Sequence, residues 1–325
     1  MPLANRITLR ELRRRATAGL LTDAEIRRFF VADEDASRPF APAVKLDRST
    51  VDPGGEALRP QDVADILARA RKPRRRMPGK TGPELATTAP RKTARKIRVL
   101  AEGDSWFDLP DLVWPRDAMD YLAETHDVLK LAKFSATLQD MVARPQYRVP
   151  LQTEHFRHFF LSGGGNDILG SIENYVRERG NGGDSPANAP EYVKAEFDAM
   201  LKRVMKLYRT VADDVRAVKG VTLYVHGYAN AIPVAGRKYL GKPLAELGFD
   251  PGSALARAIV AELIDRFNRA LAAFAQNTGN VVYINLRDVV GDGDWNWDEI
   301  HPSASGARRI AARFRERIAA NAVGA

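Results

Sequence analysis

From Lys96 onward, short apolar runs alternate with longer amphipathic stretches, the pattern of alternating strands and helices. The apolar runs predict strands at Ile97–Ala101, Val128–Ala132, Phe156–Leu161, Val221–His226 and Val281–Leu286. Helical periodicity predicts helices at Asp117–Glu124, Thr137–Ala143, Tyr192–Val218, Ser253–Gln276 and Ser303–Ala319. Strands that alternate with helices favour a parallel sheet covered by helices on both faces. We therefore predict an α/β fold with a five-stranded parallel sheet for this part of the chain.

The first part of the chain follows a different pattern. Thr8 and Thr22 each stand three residues before a glutamate, which is a capping-box pattern and predicts the start of a short helix in both places. Residues 34–60 are rich in turn-forming residues, and Gln61–Ala70 is expected to form a third short helix. We interpret residues 1–68 as a small, mainly helical N-terminal extension.

The formal charge of +9 is concentrated in one segment. From Arg69 to Arg98 the sequence contains 12 Lys or Arg and a single acid, Glu84. This segment is also rich in proline and threonine, and a stretch of that composition cannot bury apolar area. We interpret residues 69–95 as a basic flexible linker and residues 96–325 as the main domain.

The composition excludes several classes of site. The chain has no cysteine, so disulfides, thiolate zinc sites and a cysteine nucleophile are excluded. Its glycine-rich segments match neither the phosphate loop nor the dinucleotide fingerprint, and no acidic run matches a calcium loop. We therefore expect no metal and no cofactor. No apolar run is long enough to span a bilayer, and the N-terminus lacks the apolar core of a signal peptide, so we expect a cytoplasmic protein.

Polar residues follow three of the predicted strands. Ser105 comes directly after the first strand in Gly103-Asp104-Ser105-Trp106, and Asn166 follows the third strand in a glycine-rich turn. Asp298 and His301 follow the fifth strand. Because the carboxyl ends of parallel strands lie at one edge of a sheet, these four residues can converge there.

The four residues together provide what acyl transfer by a serine requires. His301 is the natural base for the Ser105 hydroxyl, since histidine exchanges protons near neutral pH. Asp298 stands three residues earlier and can orient the imidazole. The Asn166 side-chain amide and the backbone N–H of Ser105 can donate to the oxyanion.

At this point the sequence resembles a known family. Gly103-Asp104-Ser105-Trp106, Gly164-Gly165-Asn166-Asp167 and Trp297-Asp298-Glu299-Ile300-His301-Pro302 are similar to sequence blocks I, III and V of the SGNH, or GDSL, hydrolases. The resemblance covers roughly residues 96–320 and implies a three-layer α/β/α, flavodoxin-like fold and ester hydrolysis. It also implies that Ser105 is the nucleophile, that Asp298 and His301 complete the triad, and that Asn166 is an oxyanion donor.

One block departs from the family pattern. Where the family has a glycine after the second strand, this chain has Ser135. The resemblance implies that the backbone N–H of Ser135 completes the oxyanion hole, with a side chain that narrows the pocket. Trp106 stands where leucine is commoner in the family. Trp106, Tyr228 and Trp297 are candidates for contact with the substrate, and each of them suits a place in the core equally well.

We therefore predict a metal-independent serine esterase whose substrate is an ester of open class: a lipid, an acetylated sugar, a thioester or a small ester. An acyltransferase is a close variant, because the same acyl-enzyme can pass its acyl group to an alcohol. The alternative from another class is a nucleic-acid or polyanion binding protein that keeps a hydrolase fold and uses residues 69–98. Clustered Lys and Arg favour phosphate contacts, but no aromatic residue interleaves them for base stacking, so we favour the linker.

Overall fold

The computed structural model of the protein describes residues 6–38, 41–70, 96–109, 116–134, 136–180, 183–296 and 298–323. These residues form two compact units, a smaller one that holds most of the described residues before Ile97 and a larger one that holds most of those from Ile97 onward. The predicted basic linker lies almost wholly outside the described residues, so the domain boundaries stay a prediction. No helix in the described parts of the chain is long and apolar enough to cross a bilayer.

The smaller unit combines short helices with short strands. Its elements are β1 (Ile7–Thr8), α1 (Leu9–Thr17), α2 (Asp23–Phe29), β2 (Phe30–Arg38), β3 (Ala41–Leu46), β4 (Val51–Asp52) and α3 (Pro60–Ala70). Strand β1 pairs with β4, and β2 pairs with β3. The sequence analysis missed β2 and β3 because alanine and acidic residues, which strands usually avoid, fill most of β2.

The two predicted helix starts in this unit differ in detail. Thr22 forms a complete capping box, since its hydroxyl accepts the Glu25 N–H and the Glu25 carboxylate accepts the Thr22 N–H. The Thr8 hydroxyl accepts the Glu11 N–H, but the Glu11 carboxylate pairs with Arg14 instead of returning to the cap. The sequence pattern thus predicted both helix starts, but only the helix that starts after Thr22 has a complete capping box.

The larger unit contains the predicted alternation of strands and helices. Its strands are β5 (Arg98–Glu102), β6 (Asp127–Lys130), β7 (His158–Leu161), β8 (Thr222–His226) and β9 (Val281–Ile284). Its helices are α4 (Ala118–Leu122), α5 (Leu138–Ala143), α6 (Arg148–Thr153), α7 (Gly165–Leu169), α8 (Ala189–Tyr192), α9 (Ala195–Arg216), α10 (Gly241–Glu246), α11 (Ala254–Gln276) and α12 (Ala304–Val323).

All the strands and helices that the sequence predicted for this unit are confirmed, with ends shifted by a few residues. Helices α6, α7, α8 and α10 were missed. Three of them, α6, α8 and α10, have a proline in the first turn, and α7 begins at a glycine, so these short segments have the composition of turns.

The five strands form one parallel sheet in the order β6-β5-β7-β8-β9. Helix α4 packs with α12, whereas α9 packs with α5, α7 and α11, so two groups of helices cover the sheet. The predicted three-layer α/β/α fold is confirmed. In the pairing of β5 with β7, Glu102 lies opposite Leu161, so both strands end at the same level. The loops that carry Ser105 and Asn166 therefore leave the sheet side by side.

Candidate active site

Ser105 lies in a tight turn after β5 and is fully buried. The turn needs glycine at position 103, because a Cβ there would lie 2.8 Å from the Ser162 Cβ and 3.0 Å from the Phe107 ring. The Asp104 N–H donates to the Ser162 carbonyl at 3.2 Å, which holds this turn against the loop after β7.

Ser105, His301 and Asp298 form a continuous hydrogen-bonded chain. The distance from Ser105 Oγ to His301 Nε2 is 2.7 Å, and the distance from His301 Nδ1 to Asp298 Oδ2 is also 2.7 Å. The other Asp298 oxygen accepts the backbone N–H groups of His301 at 3.0 Å and Ile300 at 3.3 Å. The Ser105 and Asp298 side chains and the imidazole are all at least 99% buried. The arrangement gives the serine hydroxyl a proton acceptor that is itself oriented by a carboxylate.

The loop that carries Asp298 and His301 is held by its own backbone. The Asn296 N–H donates to the His301 carbonyl at 2.8 Å, and the Asn296 side-chain amide donates to the Pro302 carbonyl at 3.1 Å. Trp295 also forms an isolated bridge with Pro302. These bonds close the loop at its base, so the position of the imidazole is fixed by the main chain.

Glu299 joins this loop to the segment between β8 and α10. Its φ of 69° is in the left-handed region, which is uncommon for a residue with a side chain. The buried carboxylate accepts four backbone N–H groups, at 2.6 to 3.1 Å, from Val234, Tyr239, Leu240 and Gly241. Burial raises the pKa of Glu299, and the four N–H groups oppose that rise. No pattern in the sequence pointed to this role.

Asp104, the residue before the serine, organises a second buried network. One carboxylate oxygen accepts the Ser162 hydroxyl at 2.7 Å and the Trp106 N–H at 3.1 Å. The other accepts the Tyr228 hydroxyl at 2.9 Å, and Tyr228 in turn accepts the Gly165 N–H at 3.0 Å. Burial raises the pKa of Tyr228 well above its ordinary value, and the nearby Asp104 carboxylate adds to the rise. The network connects the loops after β5, β7 and β8.

Asn166 lies in the first turn of α7. The preceding Gly164 has a φ of 92°, and a Cβ there would lie 2.7 Å from the Phe267 ring, so glycine is required. The Asn166 amide donates to the Ala136 carbonyl at 2.8 Å. Its buried Oδ1 has no hydrogen-bond partner within the described part of the chain. The side chain thus spans from the loop after β7 to the loop after β6.

The predicted donor Ser135 and the predicted contact Trp297 lie outside the described residues. The residues on both sides of Ser135 are described, and the Phe134 ring lies 6.5 Å from the His301 ring, centroid to centroid. The Phe134 N–H donates to Asp108 at 3.0 Å. The loop after β6 therefore reaches the imidazole, and the role of the Ser135 N–H stays a prediction.

The structure places the Trp106 and Tyr228 side chains inside the fold, and their contact with the substrate stays a prediction. Trp106 is 4% exposed and Tyr228 is 3% exposed. The two rings pack edge to face with centroids 4.9 Å apart, and Trp106 also stacks on His226. The Trp106 indole N–H donates a hydrogen bond to the Ile300 carbonyl, and the Tyr228 hydroxyl donates one to Asp104. Aromatic residues of this kind cannot be assigned to core or rim from sequence alone, because either place suits them.

The remaining buried histidines near the sheet have local partners. His226 Nδ1 lies 3.1 Å from the Gly227 carbonyl, and burial lowers the pKa of His226. His158 Nδ1 lies 3.0 Å from the Tyr224 hydroxyl. Among the residues that the structure describes, no group of three or more His, Asp or Glu side chains could hold a metal ion. That no metal or cofactor is needed stays a prediction.

Comparison with known proteins gives a family and several structural likenesses. A model of the GDSL-like lipase/acylhydrolase family matches residues 100–309. No curated protein matches the chain. An extracellular lipase from Streptomyces rimosus is 14% identical, with 68% of this chain and 99% of that chain covered and a TM-score of 0.44. A phospholipase A1 from Streptomyces albidoflavus is 17% identical, with 68% and 99% covered and a TM-score of 0.43. A family 3 carbohydrate esterase from Clostridium thermocellum is 17% identical, with 68% and 94% covered and a TM-score of 0.41.

Proposed function

This chain belongs to the GDSL-like lipase/acylhydrolase family, and we propose that it hydrolyses carboxylic esters through an acyl-enzyme on Ser105. The observation that carries the proposal is the buried chain of two 2.7 Å hydrogen bonds from Ser105 through His301 to Asp298. A serine hydroxyl is a weak nucleophile until a base accepts its proton, and this chain supplies the base and its orienting carboxylate.

In the proposed mechanism, His301 Nε2 takes the proton from Ser105 Oγ as that oxygen attacks the ester carbonyl carbon. The Asp298 carboxylate accepts a hydrogen bond from the Nδ1–H of His301 and stabilises the imidazolium. The imidazolium then gives its proton to the departing alcohol oxygen, and the C–O bond of the ester breaks. His301 then takes a proton from water as the water oxygen attacks the acyl-enzyme. The imidazolium returns that proton to Ser105 Oγ as the bond to the acyl group breaks and the acid is released.

The negative charge on the carbonyl oxygen needs hydrogen-bond donors in the transition state. We propose the Ser105 N–H and the Asn166 amide for this role, together with the Ser135 N–H that the family resemblance implies. The Asn166 amide carries two N–H bonds, of which one is used by the Ala136 carbonyl, so the other is available to the oxyanion.

The proposal is tested by turnover of para-nitrophenyl acetate in single variants. Ser105→Ala and His301→Ala should each lower kcat by about 10³-fold or more, because the three residues act as a unit. Asp298→Asn should keep a small residual activity, since a poorly oriented imidazole still accepts protons. Ser185→Ala, which changes an exposed serine in another loop, is the matched control. Wild-type turnover in Ser105→Ala would contradict the mechanism.

The polyanion-binding alternative has less support. It depends on the composition of residues 69–98, and most of that segment lies outside the described residues.

Whether the protein acts as a hydrolase or as an acyltransferase depends on which molecule attacks the acyl-enzyme, and we propose that this molecule is water. The cytoplasmic location stays a prediction.

A further inference from the structure

A small cavity opens beside the site, between the end of β5, the loop after β6 and helix α5. Its volume is about 220 Å³, and Glu102, Lys133, Phe134, Ala136, Asp140 and Arg144 are among its lining residues. Pockets that enclose a whole small ligand usually measure about 300–1,000 Å³. The cavity is therefore the size of a subsite that takes one chemical group of a larger molecule.

Two lining residues connect this cavity to the proposed catalytic groups. The Phe134 ring lies 6.5 Å from the His301 ring, and the Ala136 carbonyl accepts the Asn166 amide at 2.8 Å. The Lys133 N–H also donates to the Gly103 carbonyl at 2.9 Å, two residues before the serine. A group in the cavity would therefore belong to a substrate whose scissile bond lies at Ser105.

The buried carboxyl of Glu102 lies in the cavity wall. Glu102 is 3% exposed, and its Oε2 has no hydrogen-bond partner among the described residues. Burial raises the pKa of Glu102 to about 7, with a smaller opposing effect from the Gly103 N–H. Near neutral pH this carboxyl carries a proton for a large share of the time, and a protonated carboxyl can donate a hydrogen bond.

The other charged groups of the cavity lie at its rim, and their sum is positive. Lys133 and Arg144 are exposed, and within the described residues neither side chain takes part in an ion pair. The Asp140 carboxylate is occupied by the Thr137 N–H at 3.0 Å and the Thr137 hydroxyl at 2.6 Å. The hydrogen bonds from Thr137, and then the charges of Arg144 and Lys133, lower the pKa of Asp140. Its carboxylate offsets one of the two cations, and the remaining positive charge attracts an anion and repels an ammonium group.

We propose that this cavity is a subsite for a carboxylate carried by the ester substrate, so that the natural substrate is an acidic ester. Lys133 and Arg144 attract the carboxylate, and the protonated Glu102 donates a hydrogen bond to it. The inference rests on the proposed ester hydrolysis at Ser105. When Glu102 loses its proton, it repels the bound carboxylate, so the preference for acidic esters weakens as the pH rises.

The test compares kcat/KM for acidic and neutral esters of matched shape. On the alcohol side the pair is para-acetoxybenzoate and its methyl ester. On the acyl side the pair is the para-nitrophenyl monoester of adipic acid and para-nitrophenyl hexanoate. The catalytic groups act on both members of a pair alike, so the acidic-to-neutral ratio of kcat/KM isolates the subsite. A ratio well above one in either pair is expected at about pH 6.

Between about pH 6 and about pH 8 the protonated fraction of a group with a pKa of about 7 falls roughly tenfold, and the ratio should fall by up to that factor. Glu102→Gln should remove this pH dependence and keep the low-pH ratio, since an amide also donates. The double variant Lys133→Gln, Arg144→Gln should lower the ratio by roughly tenfold. Lys202→Gln, which removes an exposed cation on α9, is the matched control and should leave the ratio unchanged.

The outcomes separate the subsite from the proposed function. Hydrolysis of the neutral esters with a ratio near one in both pairs overturns the subsite and leaves ester hydrolysis standing. A ratio that is unaffected by the double variant overturns it as well. Failure to hydrolyse any of the four esters counts against the proposed function and, with it, this inference.

Discussion

The Trp106 indole N–H donates a hydrogen bond to the Ile300 carbonyl at 3.2 Å, inside the protein. Trp106 follows the proposed nucleophile directly, and Ile300 precedes the proposed base. The bond therefore joins the two loops whose separation sets the distance from Ser105 Oγ to His301 Nε2.

This relationship leads to a first prediction. Trp106→Phe keeps an aromatic ring in the core but loses the bond to Ile300, so kcat should fall several-fold with little change in KM. Trp295→Phe is the control, because the Trp295 ring packs near Trp106 with centroids 6.3 Å apart and no hydrogen bond joins the two rings. Steady-state kinetics and melting temperature are measured on the same preparations. A drop in melting temperature with unchanged kcat would mean that the bond serves stability alone.

The second prediction concerns Asn166. Asn166→Ala should lower kcat by roughly 10²–10³ with little change in KM, as expected for a donor that acts mainly in the transition state. Asn277→Ala is the control, because the Asn277 amide also donates to a backbone carbonyl, at 2.8 Å, but lies at the end of α11. This variant should leave kcat unchanged. If Asn166 only ties the loop of Ala136 to α7, its loss should lower the melting temperature and spare the turnover of folded enzyme.

The third prediction uses the raised pKa of Glu102. Because the folded protein holds this proton more tightly than the unfolded chain, the ionised carboxylate destabilises the fold. The stability of the wild type should therefore fall as the pH rises from the ordinary pKa of 4.5 to about 7. Glu102→Gln should remove this loss, so its advantage in melting temperature over the wild type should be larger at about pH 8 than at about pH 5.

Burial also raises the pKa of other carboxyls, Asp117 among them, but these groups are common to both proteins and their effects cancel in the difference. An advantage that is equal at both pH values would show that Glu102 is not held neutral by the fold.

The fourth prediction tests the Glu299 carboxylate as the anchor of the segment from Val234 to Gly241. Glu299→Gln halves the number of carbonyl-type acceptors while four backbone N–H groups remain, so some lose their partner. Amide exchange at residues 239–241 should speed up, and the melting temperature should fall. Glu246→Gln, on the exposed end of α10, is the control. Unchanged exchange at these amides would contradict the anchoring role.

The sequence was sufficient for the sheet, for the long helices and for the residues that the structure brings together around Ser105. Strand periodicity is a local property, and Ser105, Asn166 and His301 each follow a strand or precede a helix with a recognisable local pattern. Their convergence followed from the parallel order of the strands.

The sequence could not predict the buried networks that hold the site. The bond from Tyr228 to Asp104 joins residues 124 positions apart, and the bond from Val234 to Glu299 joins residues 65 apart. Such pairs depend on how loops meet after folding, and no short pattern encodes them. The same limit applies to Trp106, whose burial depends on the rings that surround it.

The central claim is that Ser105 is the nucleophile, and covalent labelling tests it most directly. The native protein is treated with a fluorophosphonate, and the modified residue is located by mass spectrometry of peptides. We expect one adduct on Ser105, strongly slowed in His301→Ala and absent in Ser105→Ala. A label on another residue, or equal labelling of Ser105→Ala, would contradict the claim.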